Sequence, residues 1–381
     1  MDNVRIGVIG TGGMGSGHLA QLPKTENATL TALCDIDEAT RTQRAEQYGV
    51  PGFEKHTDLL DSGLVDAVII ATPHYFHPPI AINAFERGLH VLSEKPIAVT
   101  VSAADAMIAA AKASGLKFSV MYQMRTEPVY IAARKIVEEG LLGELYRTCM
   151  VMGWYRSQAY YDSGGWRATW TGEGGGVLIN QAPHFLDIFS WLAGLPCRIE
   201  AQVRTSLHDI EVEDEAFAVL TYANGAHGYL YASTTESPGV GLIEICGDKG
   251  KIRIMNDKLR FWQVKPGVRE HSDSATEMWS GPTDEEIDVE LPESVTGHGA
   301  VIRNFVNAIL HDTPLVTPGV EGLNAMEFID GMILSGKRGK PVCVPVDRGE
   351  YDGLIEELKA SSRGKKRLRE QRVTDPQLAG A

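Results

Sequence analysis

Six residues near the start of the chain, Gly10-Thr11-Gly12-Gly13-Met14-Gly15, constrain the fold more than any other stretch. They follow the apolar run Val4 to Ile9 and open a helix-compatible segment, Met14 to Leu22. A strand that turns at once into a helix leaves the first helical N–H groups and the positive end of the helix dipole facing outward, ready for an anion. Gly10 is placed for the tight turn, Gly12 for close approach of a pyrophosphate, and Gly15 for close packing of helix on strand, with Gly13 and Met14 completing the loop. The next strand candidate ends at Asp35, about 20 residues further on, where a carboxylate accepts hydrogen bonds from ribose hydroxyls and repels a 2′-phosphate. The spacing predicts a dinucleotide site that prefers NAD to NADP.

The surrounding pattern fits that turn. Val4 to Ile9, Thr29 to Asp35, Ala67 to Ala71, His90 to Ser93 and Phe118 to Met121 read as buried strands. Between them lie helical stretches, Met14 to Leu22, Ile36 to Tyr48, Pro79 to Arg87 and Ser102 to Ser114. Such alternation predicts an α/β domain over residues 1–122, an N-terminal Rossmann doubly wound parallel sheet. From residue 123 the texture changes. After a helix at Pro128 to Glu139, strand-like segments follow one another at Glu144 to Tyr155, Ile199 to Thr205, Glu215 to Tyr222, Ala226 to Ser233, Gly241 to Cys246 and Lys251 to Met255. These predict an α+β C-terminal domain, residues 123–347, with a large, mostly antiparallel sheet, interrupted by a helix at Gly176 to Leu192 and followed by one at Ala300 to Leu310. Residues 348–381 carry Lys359, Arg363, Lys365, Lys366, Arg367, Arg369 and Arg372 with few large apolar side chains, and read as a solvated basic helix and tail.

Charge and cysteine usage narrow the function classes. The 36 Lys and Arg stand against 50 Asp and Glu, a formal charge of −14 that repels a polyphosphate backbone and argues against nucleic acid. No apolar run approaches the roughly 20 residues needed to span a bilayer, so no membrane partner is expected. The five cysteines, at 34, 149, 197, 246 and 343, lack any zinc-type spacing, so no metal is expected and they read as thiols of a reducing compartment. Met1 leads straight into the first strand without a signal-peptide pattern, which makes the cytoplasm the expected location.

Open parallel sheets bind ligands at the carboxyl ends of their strands. Two loops lie there: Ala71-Thr72-Pro73-His74-Tyr75-Phe76-His77 and Glu94-Lys95-Pro96. Thr72, Pro73, His77, Glu94 and Lys95 are therefore candidate cofactor contacts beside the glycine turn. In the second domain the segment from Trp154 to Trp170 is dense in aromatic and hydrogen-bonding groups, including Tyr155, Asp162, Trp166 and Arg167. Sugars present apolar C–H faces and hydroxyl rims, so aromatic platforms flanked by polar groups suit a carbohydrate pocket.

The glycine turn, Ala71-Thr72-Pro73 with His77, Glu94-Lys95-Pro96, and Gly174-Gly175-Gly176 running to Asn180-Gln181-Ala182-Pro183-His184-Phe185-Leu186-Asp187 stand in the order seen in the glucose-fructose oxidoreductase, inositol dehydrogenase and rhizopine-catabolism family. The resemblance extends from about Val4 to Val346. It implies NAD(P)-dependent oxidoreduction of a sugar, cyclitol or related polyol in a cleft between two domains. It further implies a homodimer or homotetramer assembled through the second sheet. By position, Lys95 resembles the family lysine that hydrogen-bonds the reacting hydroxyl, and His184 resembles its acid/base histidine. Arg125, Trp166 and Arg167 match positions near the substrate. Asn180 departs from the Asp that many inositol-type members carry four residues before the histidine, and so reads as a contact to a substrate hydroxyl. Two alternatives stay open: a redox-neutral enzyme of the glycosidase or epimerase type that retains its NAD, and a dinucleotide-binding regulator without catalysis. Retention of both Lys95 and His184 argues against the regulator.

Overall fold

The computed structural model describes residues 2–364 and residue 368. Of the basic C-terminal residues singled out above, Lys365, Lys366, Arg367, Arg369 and Arg372 lie outside the described set.

The first third alternates strand and helix: β1 (Val4–Ile9), α1 (Gly13–Gln21), β2 (Ala28–Cys34), α2 (Glu38–Tyr48), β3 (Gly52–Phe53), α3 (His56–Leu60), β4 (Ala67–Ile70), α4 (His77–Glu86), β5 (His90–Ser93), α5 (Val101–Ser114) and β6 (Phe118–Val120). The strands pair in parallel in the order β3-β2-β1-β4-β5-β6. The order reverses between β1 and β4, so the loops after these two strands diverge and leave a crevice. Local chemistry sets the helix limits: Asp37 caps α2 by accepting from the Thr40 N–H, and Thr100 caps α5 through Ala103. β4 is buried at all four positions, as a central strand covered on both faces must be.

The remainder forms α6 (Pro128–Glu138), β7 (Leu145–Tyr155), α7 (Gln158–Asp162), α8 (Val177–Asn180), α9 (Pro183–Ala193), β8 (Arg198–Arg204), β9 (Glu215–Thr221), β10 (His227–Ser233), β11 (Thr235–Gly247), β12 (Gly250–Met255), β13 (Lys258–Lys265), α10 (Val268–Ser274), β14 (Thr283–Ile287), α11 (Gly297–His311), α12 (Gly322–Arg338), β15 (Val342–Cys343) and α13 (Arg348–Ser361). Nine strands make one sheet, ordered β14-β13-β12-β11-β7-β10-β9-β8-β15, antiparallel except where β7 meets β10. α9 and α12 pack over one face of this sheet, with α12 reaching α5 of the first unit.

The expected helix from Gly176 to Leu192 is in fact two, α8 and α9, broken at Gln181-Ala182. Pro183 causes the break: it lacks an N–H for the preceding turn yet suits the first turn of a new helix. The break places Asn180 at the end of one helix and His184 at the start of the next. α11 also departs from the sequential division. Its Val301, Ile302, Phe305 and Val306 are fully buried against Val4, Ile6, Val8 and Leu19, so this late helix packs on the first sheet.

Candidate active site

The glycine turn is built as its spacing requires. Gly10 has φ of +85°, and a Cβ there would meet the Ala71 carbonyl oxygen at 2.6 Å; a Cβ on Gly15 would sit 1.8 Å from the Gly10 carbonyl oxygen. Gly12 and Gly13 are different in kind, because a Cβ on either would meet nothing within 4 Å. Protein packing does not demand glycine at these two positions, whereas a ligand lying against the N-terminus of α1 does. At the end of β4, the Thr72 hydroxyl is buried with no partner among the described residues, an orphaned polar group facing the same crevice. Just past Asp35, Ile36 is 86% exposed, a bare apolar side chain where an adenine face would lie. These residues fit a dinucleotide.

Asp35 has a second task that its position alone does not reveal. Its Oδ2 accepts from the Thr11 N–H at 2.8 Å and the Thr11 hydroxyl at 3.0 Å, and its Oδ1 accepts from the Asp37 N–H at 2.9 Å. The carboxylate therefore ties the glycine turn to the end of β2, and about one of its four acceptor sites stays open for a ribose hydroxyl.

Lys95 leaves the first sheet at the end of β5 and reaches across to the second unit, where its Nζ donates to the Asn180 main-chain oxygen at 2.8 Å. Burial pushes the ammonium down, Glu94 and Glu173 hold it up, and Arg167 and Arg156 lower it further. Glu94 is occupied on both oxygens, by His18 Nε2 at 2.7 Å and by the Lys95 N–H at 3.2 Å. Burial alone would raise its carboxyl, but His18, with help from His298 and Lys95, holds it at about 2. His184 packs edge-on against Tyr122, with ring centroids 6.0 Å apart, and its Nε2 lies 3.5 Å from Gln123 Nε2. Burial, then the charges of Lys95 and His298, drive its pKa well below 6.5 against the opposing pull of Glu94, so the imidazole is neutral at pH 7. Its Nδ1 is buried without a partner among the described residues.

The aromatic loop closes this cleft. Arg167 stacks over Tyr160 at 4.3 Å and over Trp166 at 4.7 Å, donates to the Tyr160 hydroxyl, and lies 3.7 Å from Glu173. Tyr160 donates in turn to Asn180 Oδ1 at 3.2 Å, while Asn180 Nδ2 donates to Glu173. Trp166 packs on His74 of the loop after β4, at 5.5 Å between centroids, and His74 meets the Glu173 carbonyl oxygen at 3.0 Å. Lys95, Arg167, Trp166 and Asn180 thus form one connected set. Tyr160, Glu173, His74 and, through Glu94, His18 belong to it as well and were not picked out from sequence; only Tyr160, inside the aromatic segment, carried a visible signal.

Other expectations need correction. His77 begins α4 and directs both ring nitrogens at main-chain oxygens, Pro96 and Thr72, each at 2.8 Å. It is buried, and it clamps the two cofactor-edge loops together rather than facing a ligand. Arg125 is buried too. It donates to Asp187 at 2.8 and 2.6 Å and also to Glu321, so its guanidinium is spent on a structural ion pair joining the exit of β6 to α9. Tyr155 is exposed at the end of β7, and Asp162 accepts from Gln158 at 3.0 Å; no hydrogen bond joins either to Lys95, Asn180 or His184. Pro73 leads into the His74–Phe76 turn, and Met14 lies half-buried on α1.

Residues 4–122 match the family model of an oxidoreductase family with an NAD-binding Rossmann fold, and residues 130–253 match the GFO/IDH/MocA C-terminal domain. The chain belongs to the GFO/IDH/MocA oxidoreductase family. An uncharacterized oxidoreductase, YdgJ, of Escherichia coli is 26% identical over 90% of this chain and 99% of its own length. The levoglucosan dehydrogenase of Pseudarthrobacter phenanthrenivorans is 29% identical over 66% of this chain and 73% of its own. Among solved structures, the WlbA dehydrogenase of Bordetella pertussis in complex with NADH and UDP-GlcNAcA superposes with a TM-score of 0.77 at 27% identity, covering 91% of this chain and all of that one. Membership of the GFO/IDH/MocA family makes the protein an NAD-binding oxidoreductase, with its Rossmann unit over residues 4–122. Among the described residues no helix is long and apolar enough to cross a membrane, and no group of His, Cys, Asp and Glu is arranged to hold a metal.

Proposed function

We propose that the protein is a cytoplasmic NAD-dependent dehydrogenase that oxidises a secondary hydroxyl of a sugar, cyclitol or glycoside to a ketone. The observation that carries this reading is the convergence of Lys95 from one unit with Asn180 and a neutral His184 from the other, at the mouth of the cofactor crevice. NAD, when bound, supplies the hydride acceptor. His184 takes the hydroxyl proton, for which a neutral imidazole with a free nitrogen is suited. Lys95, held by the Asn180 carbonyl, donates a hydrogen bond to the same oxygen and stabilises the negative charge developing on it. Trp166 offers an apolar platform, and Asn180 and Arg167 offer groups for the remaining hydroxyls. Relatives named levoglucosan dehydrogenase and inositol 2-dehydrogenase support the substrate class. Phe217 and Val219 of β9 and Tyr229 of β10 are exposed side by side on the uncovered face of the second sheet, which supports assembly as a homodimer or homotetramer through that face.

Screening cyclitols, monosaccharides and glycosides for NAD reduction tests the reading. A lasting rise in NADH absorbance with a polyol supports it. Product formation without that rise identifies a redox-neutral enzyme, and binding of NAD with no turnover of any polyol identifies a regulator.

A further inference from the structure

Glu173 is 1% exposed, yet both of its side-chain oxygens receive N–H donors, and the donors come from separate parts of the second unit. Oε1 accepts from the Asn180 amide Nδ2 at the end of α8, and Oε2 accepts from the Ala168 N–H of the aromatic loop. Arg167 approaches Oε1 at 3.7 Å. Burial raises this carboxyl, while Arg167, the Ala168 N–H, the Asn180 amide and Lys95 pull the other way and favour the anion. Ala168 has φ of +55°, a left-handed conformation uncommon outside glycine, so its bond to Oε2 fastens a strained turn of the loop that carries Trp166 and Arg167.

Against such a partner the Asn180 amide can face only one way. An ionised carboxylate accepts and never donates, so Nδ2 must point at Glu173 and Oδ1 away from it. Oδ1 then takes the Tyr160 hydroxyl at 3.2 Å and Gln181 Nε2 at 3.3 Å, which fills both of its acceptor positions. The second N–H of Nδ2 is the hydrogen-bonding capacity that this side chain keeps open. The main-chain oxygen of the same residue holds Lys95 Nζ at 2.8 Å.

We propose that Glu173 is a positioning residue of the polyol site: it fixes the Asn180 amide so that this side chain meets a substrate hydroxyl as a hydrogen-bond donor, beside the ammonium of Lys95. The inference rests on the polyol reading for the substrate and on the contacts above for the orientation. Glutamine has the shape of Glu173 but cannot stand in for it. Its amide brings a single acceptor oxygen to two N–H donors, so either Ala168 or Asn180 is left facing an NH2 group, and Asn180 is free to turn over. Adding Asn180→Asp to Glu173→Gln gives the new amide an acceptor and returns the negative charge. The hydrogen bonds then close again, but with no N–H left for the substrate.

Stability and substrate recognition should therefore separate. Glu173→Gln should lower the melting temperature by about 1–4 °C and raise the KM of a polyol that the wild type oxidises by about tenfold, with myo-inositol and levoglucosan as first probes. The double variant should regain the melting temperature and keep the raised KM. NAD affinity, read by calorimetry, should match the wild type in both. A KM that recovers together with the melting temperature, or that never rises in Glu173→Gln, would overturn the proposal and reduce Glu173 to a fastening of the aromatic loop. Selective 15N labelling of asparagine reads the orientation without turnover. The side-chain amide signal that Asn180→Asp abolishes belongs to Asn180; it should carry one downfield, exchange-protected proton, and Glu173→Gln should remove that feature. An amide signal unchanged by Glu173→Gln would overturn the proposal whatever the activity. Absence of turnover with every polyol of the screen removes the dehydrogenase reading, and the amide spectra then decide Glu173 by themselves.

Discussion

Gly15 and Gly12 of the same turn answer to different demands, and replacing each by alanine separates them. A Cβ on Gly15 would lie 1.8 Å from the Gly10 carbonyl oxygen, where real contacts essentially never fall below 3.0 Å, so α1 must retreat from β1 by about 1.2 Å. Overpacking of this kind costs about 1–3 kcal/mol and sometimes more. At about 2.1 cal/mol/K of unfolding entropy per residue over 381 residues, a cost near 3 kcal/mol lowers the melting temperature by about 4 °C in the absence of cofactor. Gly12→Ala meets nothing within 4 Å and should change unfolding by no more than about 0.5 kcal/mol. The new methyl group does occupy the approach of the pyrophosphate to the helix N-terminus, so NAD affinity should fall at least tenfold. Scanning calorimetry of the apoprotein and titration calorimetry with NAD read the two quantities independently. A Gly15→Ala variant that melts with the wild type would refute the packing argument, and a Gly12→Ala variant with full NAD affinity would refute the assignment of the crevice.

Three further outcomes are expected. His184→Ala and Lys95→Ala should each lower turnover by about 10²- to 10⁴-fold while NAD still binds; because the His184 pKa lies well below 6.5, the acid limb of the oxidation rate should also fall below pH 6.5 and vanish in His184→Ala, which a pH–rate profile checks. Buried His184 and His74 stay neutral where the unfolded chain takes up protons, so stability is full above pH 6.5 and declines as pH falls below it, by up to about 1.4 kcal/mol per pH unit for each group; flat melting temperatures from pH 7 to pH 5 would contradict this. Arg125→Ala strands Asp187 in the interior and should cost about 3–5 kcal/mol in denaturant unfolding, whereas a loss confined to substrate KM would return Arg125 to the substrate site.

The first sheet was readable because its strands are short runs of consecutive apolar residues between helical stretches, and β1, β4 and β5 fall within a residue of their expected limits. The two-residue strands β3 and β15 are too short to show a period, and β14, the open edge of its sheet, carries charge at three of its five positions. The break between α8 and α9 is hidden because Pro183 interrupts an apolar pattern without ending it. Lys95 and Asn180, which the structure joins by a hydrogen bond, and His184 were singled out through their order along the chain. Arg125 and His77 misled for a common reason: the groups that claim them are distant carboxylates or main-chain oxygens. Asp187 and Glu321 lie 62 and 196 residues from Arg125, and the carbonyls of Thr72 and Pro96 leave no mark on side-chain identity. His18 was missed similarly, since its claim on Glu94 spans 76 residues.

The position of α11 sets a schedule for synthesis. The six strands of the first sheet are complete by Val120, but the helix that covers Val4, Ile6, Val8 and Leu19 begins at Gly297, about 180 residues later. A ribosome adding about 5–20 residues per second leaves that apolar face bare for on the order of 10 to 35 seconds. The nascent Rossmann unit must wait, half-finished, until residues 297–311 have been made. A chain released before α11 is made should therefore be held by chaperones or aggregate, and supplying residues 297–311 as a separate peptide should rescue it.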